Sequence, residues 1–162
     1  MKTNTRGRPA ADGVFVLERF VPFRLSVLAN RMTRGVAQVY MRRFHLSAPE
    51  WRTLAVLGRF GAMTAANVGE RTAMDKVRVS RAVTRLLQLG HVTRRTDPVD
   101  RRRAILDLTP SGQNVYRQIV PRALAVEAQM LASLSPEEHA LLLQAIGKLE
   151  NRIAELQVPA EE

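Results

Sequence analysis

The strongest constraint on the fold of this chain lies in residues 64–108, where helix caps, glycines and turn residues follow one another closely. Thr64 is placed to cap a short helix of about eight residues, and Asp75 to cap a second one that runs to Gly90. A tight turn near residues 72–74 separates them. The sequence therefore predicts two short helices with helix-turn-helix spacing.

A β-hairpin is predicted directly after the second helix. Residues 91–95 are a β-prone run, residues 96–100 have turn chemistry, and residues 104–108 alternate with a period of two. Three consecutive arginines, Arg101, Arg102 and Arg103, fall between the turn and the second strand. The hairpin is therefore expected to carry a basic tip.

Longer helices are predicted before this unit. Apolar residues after Pro22 recur at spacings of three and four. Ser47 and Glu50 have the spacing of a capping box, which opens a helix through about Phe60, ended by Gly61. The first of these helices has an apolar stripe at Leu25, Leu28, Met32, Val36 and Val39.

Two more helices are predicted after the hairpin. Thr109 followed by Pro110 starts the first, which Pro121 should kink. A second capping box at Ser135 starts the last helix, whose heptad-like seam is too short to stand alone as a coiled coil. The seam consists of Leu142, Ile146, Leu149, Ile153 and Leu156.

Positive charge is concentrated in one part of the chain. The formal net charge is +10, from 25 Lys and Arg against 15 Asp and Glu. Residues 76–103 hold nine Lys or Arg and two Asp, whereas residues 123–162 hold two Lys or Arg and seven Glu. Most of the basic residues are Arg, whose planar group suits phosphates and guanine edges. Residues 76–103 are therefore predicted to bind a polyanion.

The second short helix divides into two faces on a helical wheel. Val79, Ala82, Val83, Leu86 and Leu87 share one side, and arginines share the other. This pattern fits a recognition helix that enters the major groove with its N-terminus first, while an Arg of the hairpin tip enters the minor groove. Asp100 is expected to orient a neighbouring guanidinium through a bidentate ion pair. The predicted DNA-contacting residues are Lys76, Arg78, Ser80, Arg81, Thr84, Arg85, Arg101, Arg102 and Arg103.

Several other classes of protein fit poorly. The chain has no Cys, so a disulfide framework, a Cys-ligated metal and a thiol switch are excluded. Its three His residues lie far apart without a catalytic or metal-binding motif, so neither an enzyme nor a cofactor is expected. No apolar run of about 18 residues and no signal peptide are found, so a cytoplasmic protein without membrane contact is expected. A sequence-neutral architectural DNA- or RNA-binding protein remains an alternative, since it needs only the basic surface.

These residues resemble the multiple-antibiotic-resistance regulator (MarR) family. The family's hairpin pattern stands here as Asp100-Arg101-Arg102, followed by Leu108-Thr109 and Gly112. The resemblance spans about residues 22–156 and implies a mainly α fold with a small β wing. It implies a winged helix-turn-helix DNA-binding lobe at 47–109 and dimerisation helices at 14–46 and 110–157. Residues 1–13 are then a flexible arm and 158–162 a tail.

The resemblance also implies a function. It indicates a homodimeric transcriptional regulator, a repressor on a palindromic double-stranded operator, with Arg102 in the minor groove. Many members are released from DNA by a small anionic aromatic ligand bound between the lobes. Here two stretches look similar to relatives that respond to hydroxycinnamate-type compounds or their coenzyme A thioesters. The corresponding candidate ligand residues are Arg24, Asn30, Arg43, Trp51 and Arg52.

Overall fold

The computed structural model describes residues 15–156 as six α-helices and a small sheet. A 3-10 turn at Leu17–Arg19 precedes α1 (Val21–Phe44) and α2 (Ala48–Phe60). The middle of the chain forms β1 (Met63–Thr64), α3 (Ala65–Thr72), α4 (Lys76–Gln88), β2 (Val92–Thr96) and β3 (Ala104–Leu108). The chain ends in α5 (Pro110–Leu131) and α6 (Pro136–Leu156). The expected arm (1–13) and tail (158–162) lie outside the described residues.

Helix starts follow the local signals of the sequence. The side chains of Thr64, Asp75 and Thr109 each accept a hydrogen bond from a backbone N–H in the first turn of the following helix, at 2.8–3.2 Å. At Ser47 the backbone N–H donates to the Glu50 carboxylate at 2.7 Å, as a capping box requires. These caps fix where the short helices begin, and the mainly helical fold with a small wing is confirmed.

The sheet has three antiparallel strands in the order β1-β3-β2. Strands β2 and β3 form the predicted hairpin, with Val92 opposite Leu108 and Thr96 opposite Ala104. Strand β1, which the sequence did not predict, pairs Met63 with Leu106. This short strand ties the end of α2 and the start of α3 to the base of the hairpin.

One hydrophobic core holds α2, α3, α4 and the sheet together. Leu54, Val68 and Leu86 are fully buried in it, and Ile119 of α5 closes it from the other side. The end of α1 contributes Tyr40. We refer to α2 through β3, with the adjoining end of α1 and start of α5, as the central lobe.

Gly90 lies just past the end of α4, and Pro121 lies inside α5. Helix α4 ends at Gln88, and the chain turns through Gly90 with a positive φ of 69°, as expected for a glycine at the C-terminal end of a helix. Helix α5 continues through Pro121 without a break, and the kink at this residue stays a prediction. The side chain of Arg122 donates to the backbone carbonyl of Gln118 near this proline.

The first half of α1 and all of α6 have a different surface, and we refer to them as the terminal helices. No residue of α6 is buried, and its seam residues, from Leu142 to Leu156, are 36–62% exposed. On α1, Leu25 and Leu28 are also exposed, whereas Met32, Val36 and Val39 are partly buried. The seam of α6 therefore does not pack within its own chain. Among residues 15–156, no helix is long and apolar enough to cross a membrane.

Candidate nucleic-acid interface

Helix α4 presents its basic face to solvent. Val79, Ala82, Val83 and Leu86 are buried on the inner side. Every residue predicted to contact DNA from this helix is exposed, as the helical wheel required: Lys76, Arg78, Ser80, Arg81, Thr84 and Arg85. The apolar face thus anchors the helix, and the opposite face exposes its polar and basic side chains to solvent.

The N-terminus of α4 holds one arginine in a local ion pair. Asp75 caps the helix through its Oδ1, and its Oδ2 lies 3.2 Å from Nε of Arg78. Both side chains are exposed, and such a surface pair contributes little to stability. Arg78 can therefore exchange Asp75 for a phosphate at small cost.

The turn of the hairpin is closed by its own backbone and by Asp97. The Asp97 carboxylate accepts the N–H of Val99 at 2.8 Å, and the Asp97 N–H donates to the carbonyl of Arg103 at 3.0 Å. The N–H of Arg103 in turn donates to the carbonyl of Asp100 at 2.9 Å. These bonds give the basic tip a defined shape.

Asp100 contacts two arginines and forms a bidentate ion pair with neither. Its carboxylate accepts the Arg102 N–H at 3.0 Å and lies 3.6 Å from Nε of Arg102 and 3.9 Å from Nε of Arg103. The expected bidentate pair with a single guanidinium is therefore wrong, because the tight turn brings both arginines to the same carboxylate. The Arg102 side chain is 94% exposed and projects from the tip.

Two further arginines lie beside the predicted DNA-contacting residues and were not predicted from the sequence. Arg94 and Arg95 of β2 line a shallow cleft of about 310 Å³ together with the three arginines of the tip. Both are exposed, as are the other β2 residues after Val92. Their position in a strand that leads into a basic tip was the available signal.

A larger groove separates α4 from the hairpin. It has a volume of about 580 Å³ and is lined by Ser80 and Thr84 of α4, by Arg94 of β2 and by residues of α3. Its floor is apolar and includes Val83 and Leu106. Both elements border this groove, and we refer to the polar face of α4 and the arginines of the hairpin as the two ridges.

Two of the predicted ligand residues line one small cleft between α1 and α2. Trp51 and Arg52 border a space of about 220 Å³ together with Thr33 and Tyr40. The Trp51 ring stacks on Tyr40 with centroids 5.9 Å apart, and on Tyr116 of α5 at 6.3 Å. Arg52 donates a long hydrogen bond to Thr33 at 3.5 Å.

The positive charge of Arg52 affects the pKa of Tyr40. Burial raises the pKa of the Tyr40 phenol, and the positive charge of Arg52 partly offsets this rise. Tyr40 therefore stays protonated at neutral pH. The cleft thus combines aromatic surface, one cation and hydroxyl groups.

The other three predicted ligand residues lie elsewhere. Arg24 lines a separate open groove on the first half of α1, with Phe23 and Arg31. Asn30 is exposed, and Arg43 lies 5.9 Å from the ring of Phe44. The five candidates therefore do not form one site within the chain. Among residues 15–156, no three His, Asp or Glu side chains lie together as a metal site would require.

Comparison with known proteins gives consistent matches. The family model of the MarR family matches residues 46–103. The HTH-type transcriptional repressor NicR of Pseudomonas putida is 29% identical over 104 residues, covering 64% of this chain and 66% of NicR.

Two solved structures share the fold. The structure of Bordetella bronchiseptica BpsR, described as regulated in its DNA binding by 6-hydroxynicotinic acid, matches with a TM-score of 0.76 and 25% identity, over 85% of this chain and 98% of BpsR. A cysteine-to-serine mutant of MarR from E. coli, complexed with operator DNA, matches with a TM-score of 0.72 and 21% identity, over 82% of this chain and 95% of that one. The latter likeness shows the fold alone.

Proposed function

We propose that this chain, a transcriptional regulator of the MarR family, represses transcription as a homodimer on a palindromic operator and is released by a small aromatic acid. The observation that carries the DNA-binding part is the division of α4 into a buried apolar face and an exposed face with Arg78, Arg81 and Arg85. The name of the related NicR, a repressor, supports the direction of control.

The arrangement of the two ridges supports binding across both grooves of a duplex. Helix α4 is short, anchored and basic at its N-terminus, as a recognition helix in the major groove requires. The hairpin tip carries Arg102 almost fully exposed, where a narrow minor groove would attract it. In this proposal Asp100 limits the freedom of the tip arginines before binding.

The terminal helices support the homodimer. Their exposed apolar residues need a partner, and α1 and α6 differ in charge. Helix α1 contains arginines and no acidic residue, whereas α6 carries Glu137, Glu138, Glu150 and Glu155. We propose that the helices within 14–46 and 110–157 form a dimerisation lobe, which sets the spacing of two 47–109 lobes on a palindrome.

Selection of bound fragments from native genomic DNA, followed by competition, tests the DNA-binding part. We expect enrichment of one palindromic sequence and a preference for it of about 10³-fold or more over random duplex at physiological salt. Strong, salt-dependent binding without any sequence preference would instead support the architectural alternative.

The cleft at Trp51 supports a single-ring acid as the ligand. Arg52 offers a cation for a carboxylate, and the Tyr40 phenol offers a hydrogen-bond donor beside an aromatic ring. A space of about 220 Å³ is below the roughly 300–1,000 Å³ typical of drug-sized ligands. It therefore favours an aromatic acid over a coenzyme A thioester. The regulation of BpsR by 6-hydroxynicotinic acid points the same way.

A panel of hydroxybenzoic, hydroxycinnamic and hydroxynicotinic acids tests the ligand. We expect at least one acid to release the operator in a gel shift, and Arg52→Ala to abolish the release while leaving operator binding intact. Arg59→Ala, which removes an exposed arginine from the same helix, is the matched control. No release by any acid at millimolar concentration would reject the proposed ligand class.

A further inference from the structure

The end of α4 and the start of α5 meet in a single corner. Beyond Gln88 the chain folds back on α4, with the His91 N–H donating to the carbonyl of Leu86 at 3.0 Å. The hairpin then returns the chain to the same point, where α5 begins at Pro110. The end of α4 and the start of α5 are therefore close in space although the whole hairpin separates them in sequence.

One side chain bonds both to the first turn of α5 and to the turn that follows α4. The Thr109 hydroxyl donates to the carbonyl of Gly90 at 2.6 Å and accepts the N–H of Gly112 at 3.1 Å. The Thr109 N–H donates to the carbonyl of His91 at 3.1 Å. An ordinary cap satisfies only its own helix. Thr109 also satisfies the carbonyl that follows α4.

Gly112 lets the two segments approach closely. A methyl group at this position would collide with the carbonyl group of His91, which is backbone and cannot rotate away. Beside it, Ser111 Oγ lies 3.1 Å from the His91 ring nitrogen Nδ1. The first turn of α5 is thus packed directly on the turn that follows α4.

Helix α5 is in turn fixed to the rest of the molecule. Val115 and Ile119 are buried in the core of the central lobe, and Tyr116 stacks on Trp51. Ordinary packing would allow α4 to pivot slightly about its apolar face. The hydrogen bonds from Thr109 to the carbonyls of Gly90 and His91 add a second attachment just beyond the C-terminal end of α4.

We propose that Thr109 and Gly112 are positioning residues for DNA binding, which set the direction of α4 relative to α5. This inference rests on the proposed function, because α4 is the helix assigned to the operator. Neither residue touches DNA in this scheme. Their effect is to hold the exposed arginines of α4 at one angle, so that both lobes of a dimer fit the two half-sites at once.

The test uses Thr109→Val, which keeps the shape and removes the hydroxyl, and Thr109→Ser, which restores it. We expect Thr109→Val to lower the ratio of operator to random-duplex affinity by about tenfold and Thr109→Ser to restore it. Thr64→Val is the matched control, because it removes the hydroxyl of a cap whose side-chain bonds stay within its own helix, α3. An equal ratio in Thr109→Val and the unmodified protein would overturn the inference.

A distance measurement between α4 and α5 tests the inference without DNA. The chain contains no Cys, so spin labels at Val77→Cys on α4 and Glu127→Cys on α5 are specific, and dilution with unlabelled chain isolates the distance within one protomer. We expect one narrow distance, broadened by Thr109→Val or Gly112→Ala and narrow again in Thr109→Ser. A narrow distance distribution in Thr109→Val would overturn the inference that Thr109 sets the direction of α4 relative to α5. Absence of operator preference in the unmodified protein would reject only the proposed function.

Discussion

The central lobe and the terminal helices bury their apolar residues to very different extents. Leu54 and Leu86 in the central lobe are fully buried, whereas Leu143 and Ile153 of α6 are 58% and 62% exposed. Both regions have a regular apolar pattern in the sequence. The difference teaches that the same pattern can describe a core closed within one chain or a surface that needs a second one. The structure of the single chain separates these two cases.

The largest expected effect comes from opening the core of the central lobe. Leu86→Ala should lower the free energy of unfolding by about 2–5 kcal/mol, because it leaves a cavity under α4. Denaturant unfolding monitored by circular dichroism measures this. Val77→Ala on the same helix, where the side chain is 57% exposed, should change the value by less than about 0.5 kcal/mol. Similar losses in both variants would contradict the burial described for α4.

The second prediction places a charge on the seam of α6. Leu149→Asp should leave the central lobe folded but convert a dimer to a monomer. The reason is that dimerisation would bury an unpaired carboxylate in the apolar contact between the two seams. Operator affinity should then fall by about 100-fold or more, since two half-sites are no longer linked. Sedimentation measures the oligomeric state.

A charge on the opposite side of the same helix provides the control. Asn151→Asp should leave the dimer and its affinity unchanged. A Leu149→Asp variant that stays dimeric would show that another surface joins the protomers. The exposure of the α6 seam would then need an explanation other than dimerisation.

The third prediction separates the two ridges of the central lobe. Arg81→Ala should cost about 1–3 kcal/mol of operator binding and relax base preference, if this residue reads a base edge. Arg102→Ala should weaken binding without changing the dimer. Titration of labelled operator and of its point variants measures both. Arg59→Ala, which removes an exposed arginine from α2, should bind as the unmodified chain does, and equal binding by all three variants would reject the assignment.

The smallest effect is expected at His91. Burial lowers the pKa of His91 below 6.5. The imidazole of His91 is therefore harder to protonate in the folded chain than in the unfolded chain. The stability associated with neutral His91 is present above the unfolded pKa and is lost as pH falls from about 7 to 5. Unfolding across this range should show a weaker pH dependence in His91→Gln. An identical dependence in both proteins would exclude His91 as its source.

Local signals in the sequence predicted the parts of the fold that depend on local chemistry. Caps at Thr64, Asp75 and Thr109 gave the helix starts, because a capping side chain lies next to the N–H groups that it satisfies. The hairpin was predicted by its turn residues and alternation. Strand β1 was missed because its two residues become a strand only by pairing with β3.

The candidate sites divide in the same way. The basic face of α4 could be predicted, since residues on one helix keep their angular relation whatever packs around them. The ligand residues could not be grouped, because Arg24 and Trp51 lie on different helices whose packing brings only one of them to the cleft. Asp100 was placed correctly in the tip, but its two partners depend on how tightly the turn closes.

The stack of Trp51 between Tyr40 and Tyr116 has a spectroscopic consequence. Trp51 is the single tryptophan of the sequence, so all indole fluorescence of the protein arises where α1, α2 and α5 meet. An acid that enters the adjacent cleft would change the polarity around this one emitter. Emission intensity and wavelength would then follow occupancy of the cleft directly, without a label and without DNA in the cuvette.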